Sequence, residues 1–331
     1  MFEDENIFEQ KELALLCNNI DQNVDEQLIH GLSGAQKAFV VAAVLKKTQR
    51  PALYLTSHLQ QAETVAEDLA AFLPSVTIEV YPPAEVLPYE YYAESPELTA
   101  QRLKVMSALV RGERIIVVAP LGALNRRLPP PDVFAQSGFQ LAPGMVIDRE
   151  ELLARLVELG YQRVERVEAR AEFAARGDIV DMFPLPAVYP YRIELFDNEV
   201  DSMREFDPEN QRSKGNVDEV WLGPAAEASL SPAQRRTALK CLQEAASQYQ
   251  QNLLGKGLDD QAAKVRLRVD ALLERTAQGL AEPQERLIPF AYEETAVLSD
   301  YLSSRTLLFI DEPIQLLEEG RNFSRELAEM Q

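Results

Sequence analysis

The loop Gly31-Leu-Ser-Gly-Ala-Gln-Lys-Ala38 and the acidic pair Asp311-Glu312 have the residue types and order for nucleotide chemistry. A phosphate-binding loop follows G-x-x-x-x-G-K-[ST], in which glycines let backbone N–H groups reach the phosphates and the final hydroxyl ligates magnesium. Two of those requirements fail here. Gln36 stands where the second glycine belongs and adds a side chain at the point of closest backbone approach, and Ala38 carries no hydroxyl. Lys37 survives, but alone it is a point charge. Near the other end, Thr306-Leu-Leu-Phe-Ile-Asp-Glu312 reads as a buried strand closing on two acids. In a nucleotide-driven motor the aspartate would hold magnesium and the glutamate would help to position water. By itself, a strand followed by Asp-Glu-Pro is a common start to a turn or helix. Taken together, the two segments read as what remains of an ATPase fold that has lost its chemistry.

A second set of residues suits binding. Alternation along Tyr191-Arg-Ile-Glu-Leu-Phe196 places Tyr191, Ile193 and Leu195 on one strand face and Arg192, Glu194 and Phe196 on the other. A large aromatic therefore shares the polar face with an arginine, and that pairing is enriched at protein interfaces. Phe196 folded under the following turn as ordinary core is an equally good reading of the spacing.

Composition bounds the rest. A chain of 331 residues, 46% hydrophobic and 26% charged, is ordinary for a globular protein and long enough for two or three domains. The net charge of -20, from 53 acids against 33 bases, weighs against gripping nucleic acid over a broad face. Arg126-Arg127 reads as a solvated pair, and Arg163, Arg166 and Arg170 alternate with Glu165 and Glu168 as in a mixed surface strand. No apolar run reaches membrane-spanning length, and the acidic start Met-Phe-Glu-Asp-Glu-Asn-Ile-Phe lacks the form of a secretory signal, so a cytoplasmic location is expected. Cys17 and Cys241 are too few for a disulfide framework, and His30 and His58 stand alone. Neither a metal nor a cofactor is expected.

The elements that must hold these residues can be read coarsely. Gln27-Leu-Ile-His30 suits a short strand ahead of the glycine loop, and Ala38 to Leu45 is apolar on nearly every side, as in a buried helix. Ala52-Leu-Tyr-Leu55, Val76 to Tyr81 and Ile115-Ile-Val-Val118 read as strands. Helices near Gln60 to Phe72 and Thr99 to Val110 separate them, which implies a mostly parallel sheet. Pro129-Pro-Pro131 marks a boundary. Beyond it, Asp148 and Glu151 open a helix striped by Leu152, Leu153, Leu156 and Leu159 and stopped by Gly160, and Asp197-Asn198 suits a hairpin turn. From Ser231 the pattern is helical, with Ala238, Leu242, Ala245 and Tyr249 on one face and then Ala262, Val265, Val269 and Leu272 on another.

Phe173-Ala-Ala-Arg-Gly-Asp-Ile-Val-Asp-Met-Phe-Pro184 with Arg192-Ile-Glu-Leu-Phe-Asp-Asn-Glu-Val200 resembles the small domain shared by UvrB and the transcription-repair coupling factors. Gly160-Tyr-Gln-Arg-Val164 and Leu87-Pro-Tyr-Glu-Tyr-Tyr92 match as well, and the likeness runs from about Gln27 to Glu312. In that family the small domain docks UvrA, which implies docking roles for Arg176, Arg192 and Phe196. The broken loop favours the coupling-factor branch, since UvrB keeps an intact one. UvrB also carries an aromatic-rich hairpin after its tyrosine segment. Here Tyr89-Glu-Tyr-Tyr92 runs almost at once into Ser95, so Tyr89, Tyr91 and Tyr92 are expected to close a sheet edge instead.

The resulting expectation is α/β with an α+β insertion. A degenerate P-loop or helicase-like parallel-sheet domain spans 1–128, a small mixed docking domain spans 141–222, and a helical subdomain spans 223–331 with a strand at 306–310 returning to the first sheet. Gly31, Gly34, Gln36, Lys37, Ala38, Asp311 and Glu312 form the vestigial nucleotide site. The resemblance implies an N-terminal fragment whose parent adds an ATP-driven translocase, with RNA polymerase and double-stranded DNA as partners of the missing domains. It also implies intramolecular contacts from the C-terminal domains that mask the docking face. An active ATPase or helicase, and a purely intramolecular clamp, are the competing readings.

Overall fold

Short aliphatic runs become strands in this chain and the longer amphipathic segments between them become helices. The computed structural model describes residues 11–84, 95–277 and 284–329. The helices are α1 (Lys11–Asp21), α2 (Ala35–Thr48), α3 (Leu59–Phe72), α4 (Pro96–Val110), α5 (Pro131–Ser137), α6 (Arg149–Glu158), α7 (Pro232–Gly255), α8 (Asp259–Ala277), α9 (Ile288–Ala291) and α10 (Pro313–Glu329). The strands are β1 (Ala52–Thr56), β2 (Thr77–Val80), β3 (Ile115–Pro120), β4 (Phe139–Leu141), β5 (Gln162–Arg163), β6 (Glu172–Arg176), β7 (Ile179–Met182), β8 (Tyr191–Phe196), β9 (Glu199–Phe206), β10 (Ser213–Asn216), β11 (Val220–Leu222) and β12 (Leu307–Ile310). The chain is mixed α/β and divides into two units. One draws on 1–85, 104–126 and 298–331, and the other on 86–103 and 127–297.

The first unit is built on a parallel sheet in the order β12-β1-β3-β2. Every residue of β1 and β3 is buried, as a sheet covered on both faces requires. Ala38, Val41, Ala42 and Leu45 of α2 pack with Ala62, Val65 and Leu69 of α3 over Tyr54, Ile116 and Val118. The expected return of the chain through Leu307 to Ile310 is present, since β12 pairs with β1 in register from Ala52 opposite Leu307 to Leu55 opposite Ile310, but as an edge strand with Leu308 and Ile310 exposed rather than as the buried strand expected. The strand expected at Gln27 to His30 is absent. Gln27 is tied to α1 instead: its Nε2 donates to the Leu16 carbonyl, and Asn19 donates to its Oε1.

The second unit holds a six-stranded sheet in the order β10-β9-β8-β7-β6-β5 and a two-stranded pair, β11 with β4. The larger sheet is antiparallel except for β5 beside β6. α6 starts as its sequence predicts, with Asp148 accepting the N–H groups of Glu150 and Glu151. Leu152, Leu153, Leu156 and Leu159 lie on Phe173, Val180, Ile193, Leu195 and Met203 of the sheet. Burial stabilises each of these leucines by roughly 2 kcal/mol. Gly160, at φ 91°, ends the helix, and the buried Tyr161 hydroxyl then donates to the Gly223 carbonyl at 3.0 Å.

Two expectations for this unit are corrected. Strand structure stops after Arg163: Arg166 sits in a bend, Glu168 in irregular chain and Arg170 in a turn, rather than in a surface strand. The Glu172 carboxylate accepts the backbone N–H groups of Glu168 and Ala169, and Ala171 adopts φ 63°, which together turn the chain. On α7, whose capping box is formed by Ser231 and Gln234, Ala238 is buried against Leu230 and Leu287, but Ala245 and Tyr249 are exposed. The helix outruns the cluster that covers its first turns.

The tyrosines 89, 91 and 92 and the chain start lie outside the described residues. Among the described residues no helix is long and apolar enough to cross a membrane. Cys17 is buried and Cys241 half-buried, both as free thiols.

The lone tryptophan, Trp221 of β11, lies against Gly138 and Gly223, where any Cβ would fall well inside contact distance of its ring. Gly138→Ala is expected to cost about 1–3 kcal/mol through overpacking. Chemical denaturation of the two chains checks this.

Candidate functional site

Cross-strand register gathers the residues expected to dock a partner on one sheet face. Asp181 of β7 lies opposite Arg192 of β8, which lies opposite Arg204 of β9. In the adjacent row Arg176 of β6 faces Ile179, then Glu194 and Ser202. The opposite face of β8 is core, with Ile193 and Leu195 buried. Alternation in the sequence therefore divides this strand as expected.

Near the hairpin tip the register shifts. Glu194 pairs with Ser202, but Leu195 pairs with Val200 and Phe196 with Glu199, so Asp201 is the extra residue of a β-bulge. Val200 thereby joins Leu195 in the core while Asp201 stays exposed. Asp197, at φ 54°, turns the chain between the strands. Phe196 is left 73% exposed, which decides between the two readings of its spacing in favour of the outward one.

The arginines differ from one another. The Arg192 side chain is only 17% exposed. Its Nε donates to Asp181 Oδ1 at 2.7 Å and its Nη2 to Oδ2 at 2.8 Å, a forked pair that suits guanidinium and carboxylate planes. Its guanidinium carbon lies 4.6 Å from the Phe206 ring centre. The Asp181 hydrogen bonds hold the Arg192 guanidinium above its ordinary pKa range, outweighing partial burial. The Arg176 side chain is 56% exposed, and its Nη2 donates to Asp181 Oδ2 at 3.2 Å. Arg204 pairs with Glu194, which also accepts from the Ser202 hydroxyl.

Sequence reasoning does not single out Asp181, Arg204, Phe206 or Gln211. For Asp181 a signal exists, since it is the only acid in Ile-Val-Asp-Met-Phe and alternation points it away from Val180 and Met182.

In the first unit the structure brings Lys37 to the acids. Lys37 Nζ donates to Asp311 Oδ1 at 2.7 Å and to Glu312 Oε1 at 2.6 Å, closing a contact between the start of α2 and the end of β12. Gln61 Nε2 donates to Asp311 Oδ2 at 2.8 Å. Gln36, in place of the glycine, accepts the Ser33 N–H at 3.0 Å and so caps the turn before α2. Gly31 and Gly34 have φ of 83° and 53°. Glu312 itself is left-handed at φ 46°. Burial lowers the proton affinity of the Lys37 ammonium, but its bonds to Asp311 and Glu312 more than compensate and raise its pKa. Burial, and then the Asp311 charge, push the Tyr54 hydroxyl above its ordinary range. The cation that would meet phosphate is thus engaged by the chain's own carboxylates, and Ala38 at the start of α2 is buried.

Residues 139–227 match the family model for the UvrB interaction domain. The chain is 35% identical over 324 residues to the transcription-repair-coupling factor of Bacillus subtilis (strain 168), covering 98% of this chain and 27% of that protein. It is 29% identical over 311 residues to the coupling factor of Staphylococcus epidermidis, covering 91% of this chain and 26% of the relative. For Staphylococcus aureus (strain USA300) the identity is 30% over 288 residues, covering 86% and 24%. The chain thus spans about a quarter of the length of the curated relatives it matches.

Lys37→Met leaves the Asp311 carboxylate, 4% exposed, without its cation. A loss of about 1–3 kcal/mol is expected at neutral pH. Because the lysine pKa is raised on folding, the advantage of the wild type is complete below about pH 10.4 and fades as pH rises through the folded value. Denaturant midpoints of both chains across that range test the magnitude and the sign.

Proposed function

Since the chain belongs to the transcription-repair-coupling factor family and its residues 139–227 form a UvrB interaction domain, we propose that it acts as the UvrA-recruiting module of such a factor, with Arg176, Arg192 and Phe196 as the contact residues. The observation that carries this reading is a sheet face that bears an exposed phenyl ring, an exposed guanidinium and a largely buried one. Exposed aromatics and arginines on a rigid element are the residues that dominate interfaces. The ring costs little to desolvate, and the guanidiniums are held by Asp181 before any partner arrives, which reduces the ordering entropy of binding.

In the same reading the first unit is a motor-like domain without turnover. Gln36 and Ala38 remove the glycine and the hydroxyl that a magnesium nucleotide needs, and Lys37 is spent on Asp311 and Glu312. ATP-driven translocation, RNA polymerase and double-stranded DNA belong to the parts of such a factor beyond this chain, as does a masking contact over the docking face. The setting is the bacterial cytoplasm.

Titration of UvrA against the wild type, Arg176→Glu and Phe196→Ala tests the assignment. Each substitution is expected to weaken binding by about thirtyfold or more, with the unfolding midpoint unchanged in Phe196→Ala and lowered in Arg176→Glu, which takes a donor from the buried Asp181. Equal affinities for all three chains would remove the docking role. Magnesium-ATP turnover that disappears in Lys37→Ala would replace the degenerate-site reading with an active one.

A further inference from the structure

Asp181 is 1% exposed, yet its carboxylate sits on the docking face rather than in the main core. A buried carboxylate persists where its oxygens are satisfied by donors, and here three guanidinium N–H groups supply them: Nε and Nη2 of Arg192 and Nη2 of Arg176. Arg192 is held on every side. Phe206 lies under its guanidinium, Nη2 also reaches Gln211 Oε1 at 3.4 Å, and Nη1 reaches the Gln211 carbonyl at 3.5 Å. Gln211 is itself fixed, with φ 62° and its Nε2 donating to the Pro208 carbonyl at 2.8 Å and the Val167 carbonyl at 3.3 Å. Four of the five Arg192 donors are therefore committed within the chain. Arg176 is the opposite case. Among the described residues its side chain makes one hydrogen bond, to the same Asp181 oxygen, and is largely exposed.

We propose that Asp181 is a positioning residue of the docking face: it locks Arg192 as a fixed support and orients Arg176 as the guanidinium that meets a carboxylate on the partner. This rests on the docking reading above. The partner chemistry follows from the geometry, because the free edge of the Arg176 fork matches a carboxylate in bidentate fashion. Roles that the resemblance gives equally to two arginines are thereby divided between support and contact.

A double-mutant cycle tests the division. UvrA is titrated against the wild type, Asp181→Asn, Arg176→Ala and the double variant at one salt concentration. Asp181→Asn is expected to weaken binding about tenfold in the wild-type background and less than about threefold in the Arg176→Ala background. The same factor in both backgrounds overturns the positioning role, since a merely structural defect does not depend on Arg176. If Asp181→Asn fails to fold, Arg192→Lys carries the same cycle, because lysine keeps the charge but cannot hold the carboxylate in a fork. A wild-type chain with no affinity for UvrA overturns the docking reading itself and the positioning role with it. That result is separate from binding with equal costs, which removes the positioning role alone.

Discussion

The arginine-bearing face of the six-stranded sheet depends on the burial of one carboxylate. The Asp181 carboxylate sits in a sheet whose other face is core, and a carboxylate removed from water is tolerated only with close cationic donors. That requirement brings Arg192 from the adjacent strand and Arg176 from the strand beyond β7 to a common point. The small cluster of Val167, Ala174, Phe183 and Phe206 closes one end of the same face, and the Phe206 ring gives the Arg192 guanidinium its floor. What remains open is Arg176 and Phe196. A surface of this kind is rigid because electrostatics of the folded chain, not the partner, fix its arginine.

The first unit shows the same principle applied to different ends. In a chain of net charge -20, a lysine at the start of a helix finds acids close at hand, and Lys37 closes on Asp311 and Glu312. The sheet beneath, with β12 rejoined beside β1, is the framework that brings residues so far apart in sequence together. The contact is a staple between α2 and the sheet. Glu312 stands in a left-handed backbone conformation that non-glycine residues adopt at some cost, and the ion pair helps to offset it.

Much of this was readable from residue order, and the limits have physical causes. The leucine stripe of α6, the buried α2 and α3 and the two faces of β8 follow from periodicity, because their burial is decided locally by which side meets the core. Gln27 to His30 has the composition of a strand, but strand formation needs a neighbour, and the Gln27 side chain binds α1 instead. Arg163 to Arg170 alternates in charge as a strand might, yet the Glu172 carboxylate captures two backbone donors and folds the segment into bends. The partition of the arginines was hidden for the same reason. Whether a guanidinium is spent or free depends on Asp181 across the ladder and on Gln211 from a distant turn, and neither lies within reach of a sequence window.

The extra residue at Asp201 carries a consequence for how such a surface can diverge. With strict pairing beyond Ser202, Asp201 would point at Leu195 under α6 and Val200 would stand outside beside Phe196. The bulge works as a one-notch gear: it lets the tip display an aromatic outward without driving an acid inward. The residue count between Ser202 and the turn therefore decides which side chains of the tip face outward, and removing one residue there would exchange its two faces.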